Sequence, residues 1–249
     1  MDPPGTAWSN AIGAGVLLTY YLLFCALLPT LLKACLRVPT EVVRKLQHVA
    51  YSLSIFILLG LFETWWAAIA AASLLVLIAY PGLLILEKAS AYQRLLVDRT
   101  TNGGELRRQL LYVQLSFATL IAVFWGLLGP GWRPLIAVAV MAWGFGDAAA
   151  ALAGRFLGKK RFGHRLIEGA KTYEGTAAMI LFAGLALFGT LVSYAGQSWL
   201  VSLIVAAAVA PVCGIVELFS RRGSDTLTVP LSAALSMAPL IALFTWMGW

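Results

Sequence analysis

The sequence predicts an all-α, polytopic integral membrane protein with about eight transmembrane helices, and three observations carry that expectation. Of its 249 residues, 61% are hydrophobic and only 12% are charged, whereas soluble domains run to roughly 25% charged; mean hydropathy is +0.86. Apolar runs of membrane-crossing length, roughly 17–25 residues, recur from end to end. The basic residues fall in alternate connections between those runs. No polar stretch is long enough to build a separate soluble domain, so one membrane-embedded domain is expected over residues 1–249.

The first span is expected near 10–32. Its leader, Met1-Asp2-Pro3-Pro4, has neither the basic start of a signal peptide nor the composition of a transit peptide, so this segment is expected to stay in the membrane. The second span, near 46–61, is short and joins the third, 65–86, through Phe62-Glu63-Thr64. Ahead of it Glu41, Arg44, Lys45 and His48 form a charged turn, with Arg44/His48 and Glu41/Lys45 as i,i+4 pairs. Pro81 in the third span and Pro211 in the seventh predict kinks or local unwinding. Loop 87–108, with Asn102-Gly103-Gly104-Glu105, reads as a lid or an interfacial piece able to meet anionic lipid heads. The remaining spans fall near 109–128, 134–154, 175–194, 199–218 and 228–248.

Orientation follows from the basic residues. Seventeen of the 18 Lys and Arg lie in loops 33–45, 87–108, 155–174 and 219–227, and the intervening connections carry only Arg133. The positive-inside rule makes those four loops cytoplasmic and puts both termini on the opposite side. The net charge of +7 is what orientation requires and calls for no nucleic-acid partner. Cys25, Cys35 and Cys213 have no CxxC spacing and give no metal or disulfide signal.

The acids of interest share the basic side. Asp147 lies inside the fifth span, Glu174 begins the sixth, Glu217 ends the seventh and Asp225 precedes the eighth. An acid buried in a hydrocarbon-length helix is expensive and marks a candidate site. Carboxylates suit a hard cation, and Lys and Arg suit phosphate oxygens, so this face has the makings of a magnesium–polyphosphate site. Plain pairing of helix-end acids with loop bases is the competing use.

Around Asp147 a small-residue stripe, Gly146, Ala150, Gly154 and Gly158, serves either close helix packing or a ligand lying on the helix. Asp147, Ala151 and Arg155 share an adjacent face. The segment from Gly154 to Lys160 fails as a P-loop, with three residues between its glycines and Lys160 where a hydroxyl is needed. Lys171-Thr172-Tyr173-Glu174-Gly175 opens the sixth span, where free backbone N–H groups favour an anion, and Thr172 is placed to cap that helix.

Together the pattern resembles the CTP-dependent lipid-alcohol kinases, the phytol, farnesol and dolichol (polyprenol) kinase family, within a wider membrane superfamily that includes the phosphatidate cytidylyltransferases. The likeness is carried by Arg44-Lys45-x-x-His48, by Asp147-x-x-Ala150-x-x-x-Gly154-x-x-x-Gly158 with Lys171-Thr172-x-Glu174-Gly175, and by Glu217 with Asp225 and Pro230. Two positions depart from it: Ala170 stands where a second lysine is common, and Thr226 where Asn is common. The longer charged C-terminal stretch of the cytidylyltransferases is missing, which favours the kinase branch.

The resemblance implies transfer of the γ-phosphate of CTP, or another nucleoside triphosphate, to a long-chain isoprenoid alcohol entering from the bilayer. It implies Mg2+ on Asp147 with Glu217 or Asp225, and phosphate contacts from Arg44, Lys45, Arg155, Gly158, Lys159, Lys171, Thr172 and Gly175. Glu174 would orient Lys171 or contact nucleotide or metal, and His48 or an acid could take the hydroxyl proton. A CDP-lipid-forming cytidylyltransferase and an anion transporter are the alternatives, although no inverted repeat is evident.

Overall fold

The computed structural model describes residues 6–36, 38–86, 104–163, 165, 167, 171–221 and 223–249. The lid expected within loop 87–108 lies almost wholly outside these residues. Among the described residues, eight helical runs are long and apolar enough to cross a membrane: Ala7–Ala34, Thr40–Leu61, Trp65–Ile85, Leu106–Leu127, Pro130–Phe156, Tyr173–Ser193, Trp199–Phe219 and Asp225–Trp246. Among the described residues there is no β-strand, only an isolated bridge between Arg161 and Thr172. The protein is thus an all-α integral membrane protein. The chain divides into two compact units, Met1–Leu127 and Leu128–Trp249.

In the first unit, α1 (Thr6–Tyr20) continues through a π-helical stretch, Tyr21–Leu27, into α2 (Leu28–Ala34). Then come α3 (Thr40–Leu53), α4 (Ile55–Leu61), α5 (Trp65–Leu86) and α6 (Glu105–Leu120), the last running on as a π-helix over Ile121–Leu127. The second span therefore starts at Thr40, and the charged turn expected before it is helix. The charges lower the local hydropathy, yet they suit a helix start. Pro39 ends the preceding loop, Glu41 lies in the first turn near the dipole's positive end, and Arg44 pairs with Glu41 at 2.9 Å.

Helices α5 and α9 run unbroken through Pro81 and Pro211; the departures from α geometry are the two π stretches instead. Near the first of these, Pro29 has no N–H to offer the carbonyl of Cys25, four residues earlier. The Gln47 side-chain amide donates to that carbonyl at 2.6 Å, so a neighbouring helix satisfies a backbone group that lipid could not.

The second unit is a four-helix assembly: α7 (Arg133–Phe156), α8 (Tyr173–Ser193), α9 (Trp199–Phe219) and α10 (Asp225–Trp246). Each helix packs on the next, and α10 returns against α7. Helix α7 is the heart of the unit, buried without interruption from Leu135 to Gly144 and again over Gly146, Asp147 and Ala148.

The small-residue stripe is a packing surface. A Cβ on Gly146 would meet Met179 Sδ at 2.6 Å, and one on Gly175 would meet the Ala150 carbonyl at 2.9 Å and Gly154 Cα at 3.4 Å. Helices α7 and α8 thus touch backbone to backbone near the end where Asp147 sits.

Candidate active site

Successive helices of the second unit run up and down, so the end of α7, the start of α8, the end of α9 and the start of α10 gather at one end. Asp147 lies about two and a half turns before the end of α7 and is only 5% exposed. Arg155, two turns further on the same face, is exposed. The basic segment Lys159-Lys160-Arg161 then leaves the helix and lies exposed.

That segment is clipped to the start of α8. The Phe162 N–H donates to the Lys171 carbonyl at 3.0 Å, and the Tyr173 N–H donates to the Lys160 carbonyl at 3.1 Å. Phe162 and Tyr173 stack with ring centroids 3.9 Å apart. The clip brings the Lys159 and Lys160 backbone amides and the Lys159 ammonium within electrostatic reach of the Glu174 carboxylate. One oxygen of that carboxylate, Oε2, is buried and accepts no hydrogen bond among the described residues.

Thr172 does what its position predicts. Its Oγ1 accepts the Gly175 N–H at 3.1 Å, capping α8. It also fills the space beside Gly154 and Gly158: a Cβ on Gly158 would collide with its methyl at 2.7 Å, and one on Gly154 would press on its Oγ1 at 3.2 Å. Gly158 and Gly175 are therefore required by the closeness of chain to chain, whatever else they contact.

Lys171 is held by Glu217. Its Nζ lies 2.8 Å from Glu217 Oε1 and also donates to the Glu217 backbone carbonyl, at the end of α9 where the helix dipole favours a cation. The acid that orients Lys171 is thus Glu217, while Glu174 faces the clipped basic segment. Asp225 stands half-buried in the first turn of α10, after a turn in which Gly223 takes a left-handed φ of 82°. Among the described residues, no three His, Cys, Asp or Glu side chains gather closely enough to cage a metal ion, so Asp147, Glu217 and Asp225 form no three-acid cluster.

In the first unit, Arg44, Lys45 and His48 are all buried on α3. Their neighbour Gln109, which no local spacing marks, hydrogen-bonds the His48 ring from α6 through its side-chain Nε2.

These features define a polytopic helical membrane protein whose second unit ends in a buried acid, a lysine–glutamate pair and a clipped basic strap. The chain is 31% identical over 198 residues to the phytol kinase of Synechocystis sp., an overlap covering 79% of this chain and 78% of that one. It belongs to the phytol kinase family of lipid-alcohol kinases. No family model matches the chain, and no solved structure matches it.

Proposed function

We propose that this protein is an isoprenoid-alcohol kinase that transfers the γ-phosphate of CTP to phytol, farnesol or a polyprenol at the cytoplasmic face of its membrane. The kinship with a phytol kinase supports the reaction class. The observation that carries the site is the gathering of Asp147, Glu174 and the Lys171–Glu217 pair at one end of the second unit, under a basic strap. In this reading the whole chain is one catalytic domain, both termini lie opposite the active face, and the family sits beside the phosphatidate cytidylyltransferases.

The alcohol oxygen forms a bond to the γ-phosphorus, the bond from that phosphorus to the bridging oxygen breaks, CDP leaves with the electron pair, and the hydroxyl proton passes to a carboxylate of the site or to water. In this reading Asp147 and Glu174, hard oxygen donors, would hold a magnesium ion, and Asp225 opens the adjoining helix. Held there, the ion would supply positive charge against the polyphosphate. Glu217 holds Lys171 in place, and Lys171, Lys159 and Arg155 screen phosphate charge. The Gly158 and Gly175 contacts and the Thr172 cap fix the strap and the start of α8, so that orientation is set before substrate arrives.

Purified protein in lipid nanodiscs, given γ-labelled CTP, UTP or ATP with each alcohol, tests the reading. Label in the lipid fraction, strongest with CTP, is the expected result. Label released as pyrophosphate would instead indicate CDP-lipid formation, and anion uptake into vesicles without lipid phosphorylation would indicate a transporter.

A further inference from the structure

The strap has two faces. Arg161 pairs antiparallel with Thr172, and the hydrogen bonds flanking this bridge set Phe162 across from Lys171 and Lys160 across from Tyr173. Side chains alternate along such a pair, so Lys160, Phe162 and Tyr173 share the face opposite Thr172. Thr172 is buried against Gly154 and Gly158 of α7, which makes the other face the outer one. The Phe162–Tyr173 stack lies there. Lys171 is taken up by Glu217, leaving Lys160, exposed beside the aromatic pair, as the cation of that face.

This outer face meets the edge of the membrane. Tyr173 is the first residue of α8 and is 56% exposed. It heads a stripe that repeats every four residues through Ala177, Leu181 and Leu185, all exposed. An exposed apolar stripe on a membrane-crossing helix is its lipid side, and a tyrosine at its end belongs at headgroup level. Lys160 thus holds an ammonium at that depth, in a stretch, 155–163, with four cations and no acid. A fixed aromatic pair with an ammonium beside it suits a molecule that is anionic at one end and oily at the other.

We propose that the outer face of the strap binds an anionic phospholipid. Lys160 meets the headgroup phosphate, and the Phe162–Tyr173 pair lies against the glycerol and the first acyl carbons. A zwitterionic headgroup brings its own cation to compete with the lysine, whereas an anionic one leaves its charge to Lys160. The backbone clip holds the three side chains in register before the lipid arrives, so little ordering is left to offset binding. The site stands whether or not the protein is a kinase.

Native mass spectrometry of the full chain, released from neutral detergent and titrated with phosphatidylglycerol or phosphatidylcholine of matched chains, tests the site. Preferential retention of phosphatidylglycerol is expected, and equal retention of the two lipids would overturn the proposal. Lys160→Gln should weaken that retention about fivefold, the effect of one surface cation on an anionic lipid, and Lys160→Arg should keep most of it. Undiminished retention in Lys160→Gln would remove the lysine from the site.

Arg161→Gln removes the same charge from the strap's other face and should leave retention near that of the parent. An equal loss there would show a diffuse basic patch and no site. Tyr173→Ala should weaken retention while Tyr173→Phe should not, because the ring supplies the contact. Excess glycerol 3-phosphate should fail to displace the lipid; displacement would make the partner a soluble phosphate instead. Lys160→Gln alters only an exposed side chain, so its unfolding midpoint should match the parent's, and weaker retention at a matched midpoint is loss of the site and not of the fold.

Discussion

Lys171 reaches from the approach to α8 to the last turn of α9 and donates twice to one residue, to the carboxylate of Glu217 at 2.8 Å and to its backbone carbonyl. Both partners are largely screened from solvent, with side chains 21% and 12% exposed. One contact thus ties two spans together and aims an ammonium. Lys171→Met leaves the carboxylate stranded, and Glu217→Gln leaves the ammonium with a weaker partner. A double-mutant cycle by denaturant unfolding in detergent should give a coupling energy of about 1–3 kcal/mol. Additive costs would show that the pair contributes no joint stability.

Asp147→Asn keeps the shape of the side chain and removes its charge. Activity should fall to near background, while expression, membrane insertion and unfolding midpoint stay close to those of the parent, since burying a neutral amide costs less than burying a carboxylate. Radiolabel transfer and a thermal melt on the same preparation check both halves. Full activity would remove Asp147 from the site.

Gly175→Ala drives a methyl group to 2.9 Å from the Ala150 carbonyl and 3.4 Å from Gly154 Cα, where backbone cannot give way cheaply. A loss of about 1–3 kcal/mol is expected, as for overpacking elsewhere. Gly60→Ala, on α4 with nothing within 4 Å, is the control and should be neutral or mildly stabilising. Unfolding midpoints of the two variants, compared side by side, decide the matter.

Gln47→Leu removes the amide that serves the Cys25 carbonyl and should cost about 1 kcal/mol. Pro29→Ala restores a backbone N–H in the same turn, so adding it to Gln47→Leu should recover part of that loss. If the second change deepens the loss instead, the proline and the glutamine are not complementary.

The fold was legible because span length and the sidedness of basic residues are properties of a line of letters. All eight spans appear, most within a few residues of their expected ends. The start of α3 was the main exception: Glu41, Arg44, Lys45 and His48 depress hydropathy, although in the helix they are paired or buried. The Thr172 cap was also readable, since a cap depends on residues three apart. The glycine stripe could be seen in α7, but not that its partner is Gly175. The Lys171–Glu217 pair joins residues 46 positions apart, and Gln109 lies 61 positions from His48, separations that no local spacing rule spans. The two π stretches contain no glycine or proline pattern that would announce them, apart from Gly126 in the second.

Thr172 does two jobs with one small side chain, ending the strap with a cap and walling off Gly154 and Gly158 with its hydroxyl and methyl. The starting residue of one span is therefore indexed against a fixed point on another, like a detent between two sliding rods. The register of α8 on α7 is thereby set inside the protein, by this threonine together with the Gly175–Ala150 and Gly146–Met179 contacts, and not by the hydrocarbon around them.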